Sequence, residues 1–201
     1  MRIIAGTAKR RSLKSPSLST GVRPILARIK KSLFDILRPW LDGSEFLDLF
    51  AGSGAVGLEA LSRGARFATF VDMNPNCLSI IRQNLSKLQL FDRARLVRAD
   101  ITKDLSYAGG PYDIIFMGPP YHDAAWHPLS LTMPTMKEIQ RTGLLKTDGI
   151  VIGQHHAKEI VSATPEWDLY RQESYGDSRL SFFKRSSSSS PPNDLIGGPS
   201  L

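Results

Sequence analysis

The chain has 201 residues, of which 41% are hydrophobic and 22% are charged, a composition typical of one well-packed globular domain with short appendages. No stretch approaches the roughly 20 apolar residues that span a bilayer, and the N-terminus lacks the apolar core of a signal peptide, so we expect a cytoplasmic protein with no membrane partner. The single cysteine, Cys77, excludes a disulfide within the chain and a multi-cysteine zinc site. We expect a monomer.

Positive charge is concentrated at the N-terminus. Residues 1–40 contain ten Lys or Arg and one acid, a net charge of +9, whereas the other residues sum to −2. Such a concentration is either a solvated face or a surface that neutralises the phosphates of a nucleic acid, and both interpretations stay open at this point. The candidate phosphate contacts are Lys9, Arg10, Arg11, Arg23 and Arg28.

The chain alternates between helix and strand signals. Apolar residues recur at helical spacing over 25–38, after a basic arm whose sequence is compatible with a hairpin. A short buried strand over 45–50 then runs into a glycine-rich turn and a helix that ends near residue 63. The later elements are strands over 67–71, 95–99, 112–117, 149–154, 167–174 and 178–184, and helices over 75–89 and about 128–142. This alternation predicts a parallel, doubly wound α/β sheet with ligands at the carboxyl ends of its strands.

Composition also divides the chain. We predict a basic N-terminal extension with its helix over residues 1–40 and a main α/β domain over residues 41–185. Residues 186–201 are rich in Ser, Pro and Gly, so we predict a disordered low-complexity tail there.

The glycine-rich turn is the first candidate site. Gly52, Gly54 and Gly57 fit the pattern G-x-G-x-x-G between a strand and a helix, and Asp72 follows at the distance where an acid holds ribose hydroxyls. Alone, the pattern fits a dinucleotide, another adenosine-containing cofactor, or a tight turn that binds nothing. Asp48 favours S-adenosylmethionine over NAD, because a carboxylate before the turn suits a cationic amino-acid end better than a pyrophosphate. The Pro-Pro-Tyr corner after the fourth strand agrees, since hydride transfer has no evident need for it.

These motifs together resemble a known family. The stretch Asp48–Ala65, DLFAGSGAVGLEALSRGA, followed by Asp72, Asn84, Asp100 and the Pro-Pro-Tyr corner, is similar to the RsmD-like bacterial small-subunit rRNA guanine-N2 methyltransferases. Further similarities are MRIIAG at residues 1–6, Arg23-Pro24, the helix RIKKSLFDIL over 28–37 and the corner Tyr175-Gly176. The resemblance covers roughly residues 1–185.

The resemblance implies a class I methyltransferase fold with a seven-stranded sheet and a short RNA-binding extension. It also implies S-adenosylmethionine as methyl donor and a guanine of 16S rRNA as target, in the small subunit or its assembly intermediate. Asp72 would then hold the ribose, Asp100 would lie near the adenine amine, and Tyr121 would stack on the target base. The cofactor-binding residues implied are Asp48, Phe50, Gly52, Gly54, Asp72 and Asp100, and the catalytic corner is Gly118, Pro119, Pro120 and Tyr121.

One residue departs from the family's pattern. Relatives that methylate exocyclic amines carry Asp, Asn or Ser before Pro-Pro-aromatic, whereas this chain has Gly118. The amine lone pair is delocalised into the ring, and a side-chain oxygen would accept the amine hydrogens and orient that lone pair. Losing such a partner typically costs about 10²–10³ in rate, so we expect reduced activity unless a substitute exists. Asp123 and His122 are the nearest candidate substitutes.

Several alternatives stay open from the sequence. Gly118 is either a natural divergence or a substitution. The chain is then either an impaired methyltransferase or a cofactor-binding RNA assembly factor that no longer transfers methyl groups. DNA adenine-N6 methylation shares the corner, although the N-terminal resemblance argues against it. Tyr121 is either a base-stacking residue or an aromatic at the edge of the core. His155 and His156 lack companions at metal-ligand spacing, so no metal is expected there.

Overall fold

The computed structural model describes residues 1–15, 25–123 and 125–187. The helices are α1 (Ala27–Leu41), α2 (Ala55–Ser62), α3 (Pro75–Leu88) and α4 (Thr132–Thr142). The strands are β1 (Glu45–Leu49), β2 (Phe67–Asp72), β3 (Ala94–Arg98), β4 (Tyr112–Met117), β5 (Leu145–His156), β6 (Trp167–Tyr175) and β7 (Ser178–Arg185). Every predicted element is present, with shifts of a few residues at most ends. The predicted tail falls almost entirely on residues outside this description.

The strands form one seven-stranded sheet in the order β3-β2-β1-β4-β5-β7-β6. The strands β1 to β5 pair in parallel, as the alternation of helices and strands predicts. The predicted parallel pairing does not extend to the last two strands, because β7 runs antiparallel to both β5 and β6. Only Gly176 and Asp177 separate β6 from β7, and so short a connection can join only antiparallel neighbours.

Alternate residues of the buried strands supply two cores, one on each face of the sheet. Helices α1, α2 and α3 cover the face that contains Phe46, Phe70 and Ile152. Helix α4 covers the opposite face, with Met136 and Ile139 packed towards β-strand residues such as Leu47. Since both faces are covered, the parallel strands are apolar almost throughout, and polar chemistry is confined to their carboxyl ends.

The basic N-terminal arm is a hairpin that packs onto the main domain. The Ile3 amide donates to the Arg11 carbonyl at 3.0 Å, and the Leu13 amide donates to the Met1 carbonyl at 2.9 Å. The side chains of Ile3, Ala8 and Leu13 are buried in the core shared with α1, α2 and α3. The hairpin is therefore part of the folded body, and the predicted boundary at residue 40 stays a prediction.

A buried ionic cluster fixes this hairpin. The Glu59 carboxylate on α2 accepts the backbone amides of Ile4 at 2.8 Å and Ala5 at 3.0 Å. The same carboxylate pairs with Lys30 at 2.9 Å and with Arg63 at 2.7 Å, and the Glu59 and Lys30 side chains are 0% and 1% exposed. Burial opposes the ionisation of Glu59, but Lys30, the Ile4 amide and Arg63 hold its pKa below the ordinary value. One of the ten N-terminal cations is thus neutralised inside the protein.

In the part of the chain that the structure describes, no helix combines the length and the apolar character that crossing a membrane requires.

Candidate active site

Three neighbouring strand ends define one edge of the sheet. Strand β1 lies between β2 and β4, so the glycine-rich turn after β1, Asp72 at the end of β2 and Gly118 after β4 are brought together. The sequence prediction that these residues share an edge is therefore correct in geometry. Their roles towards a ligand stay predictions.

The glycine-rich turn needs glycine for two different reasons. Gly54 has φ of +74° where the turn enters α2, a left-handed conformation that residues with a Cβ rarely adopt. Gly57 lies in the first turn of α2, where an added Cβ would come within 2.4 Å of the Phe70 ring. Glycine at 57 therefore lets α2 pack closely on β2. Phe50, which begins the turn, also has a positive φ of +58°.

Asp72 is fixed by backbone donors on both carboxylate oxygens. Its Oδ2 accepts the Gly52 amide at 2.7 Å, and its Oδ1 accepts the Asn74 amide at 2.8 Å. Burial raises the pKa of Asp72, while the two backbone donors oppose that shift. Each oxygen keeps further acceptor capacity, which suits the hydroxyls of a ribose. The arrangement fits an adenosine-containing cofactor, because the glycine turn and the carboxylate are held to each other directly.

Asp48 lies beneath the same turn and is only 1% exposed. Its Oδ2 accepts the Gly57 amide at 2.9 Å. Burial, reinforced by the negative charge of Asp72, raises the pKa of Asp48 to about 8. This carboxyl is therefore protonated at neutral pH. Its predicted contact with a cationic amino-acid end requires the loss of that proton.

Asp100 bonds to its own turn in this structure. Its Oδ1 accepts both the amide and the hydroxyl of Thr102, at 3.1 Å and 2.7 Å. The hydrogen bond from the Thr102 hydroxyl is the main reason that the pKa of Asp100 is lowered. The side chain stabilises its own turn after β3, and a contact with an adenine amine stays a prediction.

The Pro-Pro-Tyr corner adjoins the end of β1. The Gly118 amide donates to the Leu49 carbonyl at 3.3 Å, so the ladder between β1 and β4 continues into the corner. Pro119 is buried and Pro120 is exposed. Both prolines restrict the backbone direction after β4.

Tyr121 is held at the corner by two side chains that the motifs in the sequence do not indicate. Its hydroxyl donates to Ser178 Oγ at 3.0 Å and accepts from Gln154 Nε2 at 3.3 Å. Such bonds hold the hydroxyl end of the side chain in place, and a base-stacking wall requires a ring that is held in position. The ring is only half-buried, so one part of it faces solvent.

Strand register offered a signal for one of these partners. Met117 on β4 pairs with Gly153 on β5, so the next position places Gln154 beside Gly118. Counting residues in the two parallel strands would therefore have found Gln154. Ser178 had no such signal, because its approach depends on the antiparallel placement of β7.

The suggested substitutes for the missing carboxylate are directed elsewhere. Asp123 Oδ1 accepts the amides of Ala125 and His127 at 2.8 Å and 2.9 Å, and Asp123 Oδ2 lies 3.1 Å from His127 Nδ1. The backbone bond from His127 is the largest cause of the lowered pKa of Asp123. The His122 ring lies 5.4 Å from the Trp126 ring, centroid to centroid. These bonds argue against Asp123 as the substitute, because they use its oxygens within its own loop.

The two adjacent histidines at the end of β5 make protein contacts. His155 is buried, with Nε2 2.8 Å from Ser181 Oγ and Nδ1 2.9 Å from the His156 carbonyl. The carbonyl can only accept, so Nδ1 carries the proton and Nε2 accepts from Ser181. Among the described residues there is no group of three or more His, Cys, Asp or Glu side chains suited to a metal ion.

The predicted RNA-binding cations lie on the surface, as far as they are described. Exposed positions are occupied by Lys9, Arg10, Arg11 and Arg28. Arg11 also has a structural role, since its guanidinium donates to the Lys87 carbonyl at the end of α3 at 2.7 Å. Arg28 lies near the turn between β6 and β7, and the Tyr175 hydroxyl bonds to Ser32 on the same helix. Arg23 lies outside the described residues.

Comparison with known proteins decides the family. The family model described as Conserved hypothetical protein 95 matches residues 1–184. Ribosomal RNA small subunit methyltransferase D of Escherichia coli is 31% identical over 186 residues, which cover 92% of this chain and 90% of that protein. The chain belongs to the RsmD-like family. The Haemophilus influenzae protein of the same name is 29% identical and is covered to 89%.

Solved structures agree with this assignment to the RsmD-like family. A Thermus thermophilus hypothetical protein, TTHA0928, has a TM-score of 0.74 and 31% identity, with coverage of 92% of this chain and 99% of that one. A structure bound to SAH, SMU.776, shares the fold with a TM-score of 0.63 at 17% identity. The family, the class I fold and a methyltransferase that uses S-adenosylmethionine are thus confirmed.

Proposed function

We propose that this RsmD-like protein uses S-adenosylmethionine to methylate the N2 of a guanine in 16S rRNA, within the small subunit or its assembly intermediate. The observation that carries the proposal is the common edge of the sheet. Asp72 ends β2 and accepts the amide of Gly52, which follows β1. The Pro-Pro-Tyr corner follows β4 on the other side of β1. The names of the relatives, which specify small-subunit rRNA, support the substrate class. We further propose that the protein acts as a cytoplasmic monomer.

Each residue of the site would have a separate role in binding or orientation. When bound, S-adenosylmethionine supplies an electrophilic methyl group. Asp72 accepts hydrogen bonds from ribose hydroxyls, and the glycine turn admits the cofactor close to the backbone. Tyr121, held through its hydroxyl, presents a face on which an extruded base stacks. Gly118 offers only its backbone to the amine hydrogens, so catalysis relies mainly on orientation.

One assay tests the reaction against its two alternatives. Methyl transfer from labelled S-adenosylmethionine is measured on undermethylated small subunits, on naked 16S rRNA and on DNA. The proposal expects label in rRNA that maps to guanine N2. Label in DNA adenine would support the N6 methyltransferase instead. Binding of cofactor and RNA without transfer of label would support the inactive RNA-binding alternative, for which Gly118 is the reason.

We expect Asp72→Ala to weaken S-adenosylmethionine binding by at least about tenfold, or about 1.4 kcal/mol, because a charge-assisted hydrogen bond is lost. Calorimetry measures the Kd directly. Asp148→Ala is the matched control, since Asp148 is exposed and lies near the amino end of β5, away from the site. Parent-like affinity in Asp72→Ala, or tight NAD binding by the parent, would contradict the cofactor assignment.

We expect cofactor binding to release a proton below pH about 8, because Asp48 is protonated in the free protein and a cationic ligand favours its carboxylate. The affinity should therefore rise with pH towards the pKa of Asp48 and level off above it. Calorimetry at neutral pH in two buffers of different ionisation enthalpy counts the proton. Asp48→Asn separates this proton from any exchanged by the ligand's own amino group. Equal proton release in both proteins would mean that Asp48 is only structural.

We expect RNA affinity to fall steeply with salt if the basic hairpin contacts phosphates. Replacing Lys9 and Arg10 by Gln should flatten the plot of log K against log[salt] by about 1.8 at the duplex value or about 1.4 at the single-strand value. Filter binding over a salt series measures the slope. Lys137→Gln on α4 serves as a surface control. An unchanged slope in the double variant would make the hairpin a solvated face.

A further inference from the structure

Trp126 is placed in an unusual way just beyond the Pro-Pro-Tyr corner. Its side chain is 80% exposed, although tryptophan is a residue that proteins mostly bury. Its backbone has φ of +63°, a conformation that is strained for a bulky side chain. Strain and exposure together cost stability, and the described core gains nothing from this ring. Residues held in strained backbone conformations are concentrated at active sites and ligand clamps.

The loop that carries Trp126 is held in shape by its own hydrogen bonds. The Asp123 carboxylate accepts the amides of Ala125 and His127 and contacts the His127 ring, at distances between 2.8 and 3.1 Å. The Leu129 amide donates to the Tyr121 carbonyl at 2.9 Å, which closes the base of the loop. The backbone that carries the exposed ring is therefore preorganised. Binding then needs less ordering of the backbone than it would at a mobile loop.

Four aromatic rings connect the corner to solvent. The Tyr121 and His156 ring centroids are 5.6 Å apart, those of His156 and His122 are 6.2 Å apart, and those of His122 and Trp126 are 5.4 Å apart. We call these four residues the aromatic track. It begins at the ring proposed to stack on the target base and ends at the most exposed ring. The one acid within the loop, Asp123, directs both carboxylate oxygens into hydrogen bonds with the loop itself.

We propose that the aromatic track binds an unpaired nucleotide next to the target guanine, with the base of that nucleotide stacked on Trp126. This proposal rests on the proposed function. When a base is extruded for reaction, its neighbours in a single-stranded segment lose stacking partners. Aromatic rings replace those partners, and they do so for any base because every base has a π-face. The track would thus determine which neighbour of the target guanine the enzyme binds.

Tryptophan fluorescence tests the stacking directly. The probe is a single-stranded RNA of about ten nucleotides with one central guanine, within the roughly 4–16 nucleotides that such sites cover. We expect this RNA to quench the tryptophan emission of the parent. Trp126→Phe should remove most of that quenching while it keeps the affinity within about threefold, because phenylalanine still stacks. Trp126→Ala should lower RNA affinity by about tenfold and leave the Kd for S-adenosylmethionine unchanged.

Phe91→Ala is the matched control. Phe91 is a 50% exposed aromatic that precedes the amino end of β3, on the opposite edge of the sheet from the corner. This variant should keep parent-like RNA affinity. RNA binding by the parent with no Trp126-dependent quenching and no loss in Trp126→Ala would overturn the aromatic track alone. A parent that binds neither this RNA nor small subunits would overturn the track and the proposed function together. If Trp126→Ala fails to fold, the quenching difference between the parent and Trp126→Phe decides.

Discussion

Replacing Glu59 by alanine is expected to lower the free energy of unfolding by about 3–5 kcal/mol, the usual cost of removing one partner from a buried ion pair. The variant leaves the Lys30 ammonium buried without its counter-ion. It also leaves the amides of Ile4 and Ala5 without their acceptor. Loss of a hydrogen bond to a charged group adds to the desolvation cost of each orphaned donor.

For a domain of this size, about 3–5 kcal/mol corresponds to a fall in Tm of roughly 6–20 °C. Urea denaturation and thermal scans measure the loss. Hydrogen exchange at the Ile4 and Ala5 amides should accelerate, because the hairpin loses its anchor on α2. Asp35→Ala is the matched control. Asp35 pairs with Lys31 on the surface, with the two side chains 54% and 66% exposed, so its loss should cost less than about 1 kcal/mol.

A second variant separates the charge from the packing. Lys30→Met combined with Glu59→Leu replaces both buried charges by apolar side chains of similar size, and such swaps often recover much of the lost stability. Stability close to that of Glu59→Ala in this double variant would mean that the bonds to Ile4 and Ala5, rather than the unpaired Lys30, dominate. A loss below about 1 kcal/mol in Glu59→Ala itself would contradict the anchoring role.

The anchored hairpin is also connected to the cofactor turn. Asn84 on α3 is fully buried, accepts the Lys14 amide at 2.8 Å, and donates to the Lys14 carbonyl at 3.0 Å. The same side-chain amide group donates to the Ser53 carbonyl within the glycine-rich turn at 3.3 Å. The end of the hairpin and the cofactor turn are thus held by one side chain. This gives a physical reason for the presence of Asn84 among the motif residues that the sequence shares with the RsmD-like family.

The positions of the site residues could be predicted from the sequence, whereas most of the contacts around them could not. Buried strands are continuous apolar runs, so their ends, with Asp72 and Gly118, could be located from the pattern alone. Lys30 was counted with the surface cations because its partner Glu59 lies 29 positions further along the chain, and no periodicity relates the two. The hydrogen bond between Tyr121 and Ser178 could not be predicted either, because it depends on the antiparallel placement of β7. Local patterns predict elements, whereas contacts between distant segments depend on the topology.

Gly118→Asp is expected to raise the rate of methyl transfer to guanine by at least about tenfold, towards the 10²–10³ that such an electrostatic partner typically contributes. The backbone of the corner accepts a Cβ at this position. Gly118 is not among the glycines with positive φ, so a Cβ introduces no backbone strain. The Cβ would lie 3.3 Å from one atom and 3.6 Å from another atom of the Phe116 ring, which requires a shift of only a few tenths of an ångström.

Single-turnover rates at saturating cofactor, measured on undermethylated small subunits, test this expectation. The carboxylate acts on the amine as the transition state forms, so the gain should lie in the chemical step and leave the Kd for cofactor nearly unchanged. Gly118→Ala is the matched control, because it adds the Cβ without an acceptor oxygen. The alanine variant should therefore be no faster than the parent.

Equal rates for the parent and Gly118→Asp, with both folded and cofactor-bound, would show that Gly118 is not the defect. Asp123 could not then be the substitute, since its oxygens are bonded within its own loop. The acceptor would have to be a backbone carbonyl of the corner or the amide of Gln154, which the strand register places beside Gly118. Gln154→Leu would separate the two. It removes the side-chain oxygen and leaves the backbone in place, so an unchanged rate assigns the acceptor to the backbone.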